Sequence, residues 1–108
     1  MNRECEKAMR FTIPAVRVAV SCVLKREHGM SETLIARRLG VAQAAVSKYL
    51  SGDYSKKVAG IVNVVVSQKI YTPIVKAILK NSRTEHVHVL VDRVASDTEL
   101  TSFALSKD

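Results

Sequence analysis

Residues 30–52, MSETLIARRLGVAQAAVSKYLSG, leave this chain few choices of fold. Leu34, Ile35 and Leu39 recur at helical spacing. Ser31 stands where a hydroxyl can accept from the free N–H groups of a helix start. Glu32 follows it, favourably placed at the positive end of the helix dipole. Gly40 then supplies the left-handed conformation that ends a helix without a Cβ clash. A second helix is predicted from residues 41–43 up to Gly52, burying Val46, Tyr49 and Leu50. Ala36 is small where that second helix presses close. Two short helices around a glycine-containing turn of about 3–4 residues make a helix-turn-helix, whose second helix lies in the DNA major groove.

An ordinary αα-hairpin inside a helical domain is the plainer alternative. The outward side of the second helix separates the two readings. Gln43, Ala44, Ser47 and Lys48 are short or hydrogen-bonding residues, and no acid among them repels phosphate. A merely solvated helix face usually carries acids and paired Lys/Glu.

Charge distribution points the same way. The chain carries a formal charge of +7. Residues 1–58 hold 11 Lys/Arg against 5 Asp/Glu, an excess of 6, whereas residues 59–108 hold 6 against 5, an excess of 1. The positive excess therefore lies on the half with the predicted motif, as a polyanion partner requires. No run reaches about 18 apolar residues and no signal-peptide pattern opens the chain, so a cytoplasmic, nucleoid-associated protein without membrane contact is expected. Five aromatic residues and no Trp argue against a stacking platform for single strands. Cys5 and Cys22 are too few and too far apart for a zinc site and read as small, reduced, partly buried residues.

The expected architecture is all-α: one domain over residues 1–108, with a tri-helical DNA-binding core at 13–57 and a helical packing and dimerisation region at 58–108. Residues 2–11 read as a charged helix with Cys5, Ala8 and Met9 as an apolar stripe. Pro14 suits the first turn of a new helix, which runs over residues 13–28 and ends at Gly29, with Val16, Val20, Val23 and Leu24 facing the core. Val58, Ile61, Val62 and Val65 follow helical spacing, but Val64 and Val66 make that segment apolar nearly all round. Such a helix is either deeply buried or shared with another subunit. A strand competes over residues 61–66, and again over 87–91. Thr72 is a predicted N-cap with Pro73 at the first helical position, leading Ile74, Ile78 and Leu79 onto one face. Thr84–Glu85 opens a segment with Val87, Leu90, Val91 and Val94, and Asp97 caps a last helix carrying Leu100, Phe103 and Leu105.

CEKAMRFTIPAVRVAV followed by ARRLGVAQAAVSKYLSG resembles the small archaeal predicted transcriptional regulators with an N-terminal helix-turn-helix. The features carrying the resemblance are Cys5–Glu6, Pro14–Ala15–Val16–Arg17 and the run from Leu39 to Leu50. The same stretch is similar to the DNA-binding half of archaeal thiamine-biosynthesis regulators and, more distantly, to phage-repressor-type domains. The resemblance covers about residues 4–57 and implies DNA binding. This chain departs from it at Ala42, where many members carry Thr or Ser as a side-chain cap, and in having no C-terminal cysteine pair.

Gln43, Ala44, Ser47 and Lys48 are therefore the expected base-reading residues. Gln pairs with adenine, Lys with guanine, and Ala meets a thymine methyl. Ser31, Thr33, Arg37, Arg38, Ser51, Lys56 and Lys57 are the expected phosphate contacts; Lys25, Arg26 and Arg17 are within reach of the same role, with solvated charge the plainer reading for at least one of them. Val58, Ile61, Val62 and Val65 are the expected homodimer interface on a two-fold site. No cofactor and no catalysis are expected, since no activated nucleophile or paired carboxylates appear. His86, His88 and Asp92 offer at most two metal ligands on one helix face. An effector is left open. The competing functions are a nucleoid-type architectural binder with low sequence preference and a helical interaction module such as an antitoxin.

Overall fold

One helix runs where the sequence suggested two. In the computed structural model, which describes residues 3–106, α1 (Arg3–His28) is 26 residues long and passes through Pro14 unbroken. The expected break at Pro14 is thus corrected. An interior proline removes one N–H and crowds the carbonyl four residues back, costing about 3 kcal/mol. Burial on both sides offsets it: Ala8, Met9 and Thr12 precede the proline, and Ala15, Val16, Val18, Ala19, Val20, Ser21, Val23 and Leu24 follow it. Val18, Ala19, Val20 and Ser21 are consecutive and all buried, so α1 is enclosed around its whole circumference there. Each of the other six helices packs against it. Positions 1, 2, 107 and 108 of the expected domain lie outside the described residues.

The remaining elements are α2 (Glu32–Leu39), α3 (Gln43–Ser51), α4 (Lys56–Ser67), α5 (Thr72–Leu79), α6 (Thr84–Ala95) and α7 (Thr98–Leu105). Every described element is helical, and the strand readings at 61–66 and 87–91 fall away: the β-branched residues there sit in α4 and α6. Local capping explains many of the boundaries. Ser31, Ser55 and Asp97 accept from the backbone N–H groups of Leu34, Val58 and Leu100 respectively. Gly29, Gly40 and Gly52, each with positive φ, close α1, α2 and α3. At α5 the cap lies one residue earlier than expected, at Tyr71. Thr72 begins the helix, and its hydroxyl donates to the Lys69 carbonyl at 2.7 Å.

Val58, Ile61, Val62 and Val65 are buried inside this one chain, between 0% and 8% exposed. Their assignment to a dimer interface is corrected: α4 lies against α1 and α7, and these side chains complete the chain's own core. Val66 on the same helix is 39% exposed. Leu79, placed with Ile74 and Ile78 on sequence grounds, is also turned outward, as are Phe103 and Leu105. The buried residues form one cluster drawn from all seven helices. Among the described residues no single helix is long and apolar enough to cross a membrane, and α4 and α5 meet at a bend of 74°.

Candidate nucleic-acid interface

α2 and α3 are joined by Gly40, Val41 and Ala42, a three-residue turn. Ser31 opens α2 from an extended backbone, with its side chain accepting from the Leu34 N–H at 3.2 Å. Ile35, Ala36 and Leu39 are buried. Gly40 has φ 70° and ψ 37°, and its N–H bonds back to the carbonyls of Ala36 and Arg37. The chain then extends through Ala42, which caps α3 without a side-chain bond.

Val46 is the fully buried residue of α3, while Ala45, Tyr49 and Leu50 are half-buried. Gln43, Ala44, Ser47, Lys48 and Ser51 are exposed. At about 100° per residue, these five positions span one arc of about 140°. That arc carries one Lys and no acid. All four expected base-reading residues thus share one solvent-facing side.

The expected phosphate contacts divide into two groups. Ser31, Thr33, Arg37, Ser51 and Lys56 are exposed, at the start and outer side of α2, the end of α3 and the start of α4. Ser51 Oγ donates to the Lys48 carbonyl at 3.2 Å. Arg38 and Lys57 are corrected, because both are committed within the chain. Arg38 Nη1 donates to the side-chain carbonyl of Asn81 and, at 3.5 Å, to the backbone carbonyl of Ile78. Lys57 Nζ donates to the carbonyls of Ala104 at 2.9 Å and Ser106 at 3.1 Å, and lies 5.1 Å from the centre of the Phe11 ring. Its charge thus serves the negative C-terminal end of α7.

Lys25 and Arg26 are exposed at the end of α1. With Cys22, Glu32 and Leu50 they line a recess of about 260 Å³ where α1, α2 and α3 meet. Burial raises the Cys22 thiol above its ordinary pKa, and the nearby Arg26 charge only partly counters this.

Sequence reasoning missed one feature of the site. His88 Nε2 lies 2.9 Å from the Leu39 carbonyl. A carbonyl only accepts, so this nitrogen carries the proton. The H-x-H pattern drew attention to His88 as a metal ligand, whereas the side chain closes the end of α2. Among the described residues no group of three or more His, Cys, Asp or Glu is arranged to hold a metal ion. Comparison with protein-family models, with curated proteins and with solved structures gave no match.

Proposed function

We propose that this chain is a sequence-specific double-stranded DNA-binding transcriptional regulator that inserts α3 into the major groove. The observation that carries the reading is the acid-free exposed arc of α3, Gln43, Ala44, Ser47, Lys48 and Ser51. The turn after capped α2 presents this arc outward. Gln43 offers a bidentate amide for adenine, Lys48 donates to guanine, and Ala44 is small enough to meet a thymine methyl. Ser31, Thr33, Arg37, Ser51 and Lys56, with Lys25 and Arg26, flank the arc and supply phosphate contacts, which fix register without reading sequence. A nine-residue helix reaches only a few base pairs, so the proposal includes a homodimer on a two-fold site, with half-sites about 34 Å apart. Its contact surface lies elsewhere than Val58, Ile61, Val62 and Val65. The protein is then expected on the nucleoid, with no cofactor.

Selection from a pool of random duplexes tests the reading, followed by titration of the selected and scrambled DNAs at several salt concentrations. Gln43→Ala is expected to lose about 1–3 kcal/mol on the selected duplex and little on the scrambled one. Equal losses on both would remove Gln43 from base reading. A wild type that binds every duplex alike would mark an architectural binder, and no retention on DNA at moderate salt would mark an interaction module. Sedimentation of the complex at micromolar concentration tells two copies per site from one.

A further inference from the structure

The far half of the chain grips the turn between α2 and α3. Leu39 and Gly40 end α2, and helix ends leave carbonyls that need partners. His88, one turn into α6, donates Nε2–H to the Leu39 carbonyl at 2.9 Å. Thr84, the first residue of α6, and His88 also crowd Gly40 itself. A Cβ on Gly40 would lie 2.6 Å from His88 Nε2 and closer still to Thr84 Cγ2. Just before Leu39, Arg38 is tied to the Ile78 carbonyl in the last turn of α5 and to Asn81 in the α5–α6 connection. Three consecutive residues, Arg38, Leu39 and Gly40, are therefore held by the hairpin formed from α5 and α6. On the other side, the Gly40 N–H bonds to the Arg37 carbonyl at 3.3 Å, and the Val41 N–H to the Ala36 carbonyl at 3.0 Å.

We infer that His88 is a positioning residue for α3: with the Arg38–Asn81 contact, it fixes the backbone of the α2–α3 turn and so the direction in which α3 projects. The part concerning recognition rests on the DNA-binding reading above, while the part concerning the turn does not. α3 is seated on α1 and α2 through Val46, and a turn held from one side only would let it pivot on that contact. Base reading needs hydrogen-bond geometry across several residues at once, whereas phosphate contact tolerates displacement. Loosening the grip therefore costs discrimination before it costs general affinity for DNA. His88 itself touches no base. It acts through Leu39 and Gly40.

The experiment uses the full chain with His88→Leu, which removes the donor, His88→Gln, which restores an N–H of similar reach, and Asn81→Gly. Asn81 has φ 62°, so glycine keeps that backbone while deleting the side-chain acceptor of Arg38 and leaving the Ile78 carbonyl. Amide hydrogen exchange at Gly40 and Val41 reads the turn without DNA. Affinity for a selected duplex relative to a scrambled one reads recognition. His88→Leu is expected to lower protection of the Val41 amide at least tenfold and the affinity ratio about tenfold, while protection in α4 stays as in wild type. His88→Gln should recover both to within about threefold, and Asn81→Gly should give a smaller loss of the same kind. Unchanged Val41 exchange in both His88→Leu and Asn81→Gly overturns the grip. Faster exchange with an unchanged affinity ratio overturns the role in recognition. If His88→Leu loses protection everywhere, Asn81→Gly decides alone. A wild type without preference for any duplex sinks the DNA-binding reading and the recognition role with it, while the exchange measurement still judges the turn.

Discussion

Gly40 and Gly52 both close helices with a positive φ, 70° and 80° respectively, yet their surroundings differ. Nothing lies within 4 Å of where a Cβ would stand on Gly52, whereas at Gly40 that place is filled by Thr84 and His88. Gly52→Ala should therefore cost only the left-handed backbone penalty, about 1–2 kcal/mol. Gly40→Ala adds overpacking, itself about 1–3 kcal/mol, and should roughly double the loss. Denaturant titration of the two variants checks this, and equal losses would mean that α6 does not press on the turn. Cys22 gives a second test at this scale. Its half-buried thiol has its pKa raised, mainly by burial, and the thiolate is the reactive form. Alkylation of Cys22 at neutral pH, followed by mass spectrometry of the folded protein, should be slower than for a free cysteine and should quicken as pH rises. A rate at neutral pH above that of the free amino acid would contradict the burial.

Neighbouring lysines at the start of α4 show how an element assigns different work to similar residues. Lys56 is exposed. Lys57, about 100° further round the helix, reaches across to the C-terminal end of α7 and over Phe11. Lys56→Ala should leave thermal stability nearly unchanged and, on the proposed function, flatten the salt dependence of DNA binding by about one ion. Lys57→Met keeps the apolar stem but loses the carbonyl contacts and the ring contact. Each is worth about 0.5–1 kcal/mol at a partly exposed site, so the melting temperature should fall by several degrees. Salt titrations and melts of both variants separate the roles, and interchangeable behaviour would show that the α4–α7 contact carries no weight. At this scale much was legible. Ser31, Gly40, Gly52 and Asp97 act through hydrogen bonds or backbone preferences spanning a few residues, so the sequence announces them. Pro14 misled for the converse reason: its local cost is plain, while the burial around α1 that offsets it comes from helices up to 90 residues away and leaves no local mark.

Contacts that join the two halves were the least legible part of the molecule. Arg38 with Asn81 and His88 with Leu39 are separated by 43 and 49 positions. Nothing in the local pattern distinguishes a committed Arg from a free one, which is why Arg38 and Arg37 looked alike. The exposed arc of α3 could be read because it needs only the helical period and the position of Val46. The core itself runs across residue 57. α1 packs against α4, α5, α6 and α7 as well as α2 and α3, and the buried cluster runs without a gap through all seven helices. A fragment of residues 1–57 would expose most of the surface that encloses α1, and at that length a chain has little apolar area left to bury. It would also lose Ile78, Asn81, Thr84 and His88, the residues that hold the α2–α3 turn. The full chain should melt in one cooperative transition, because a single core links its helices. The fragment should show weak helical circular dichroism with no cooperative melt, and no DNA binding beyond charge attraction. A fragment with dispersed amide resonances and its own sharp transition would show that the first three helices stand alone, with the later four as an accessory.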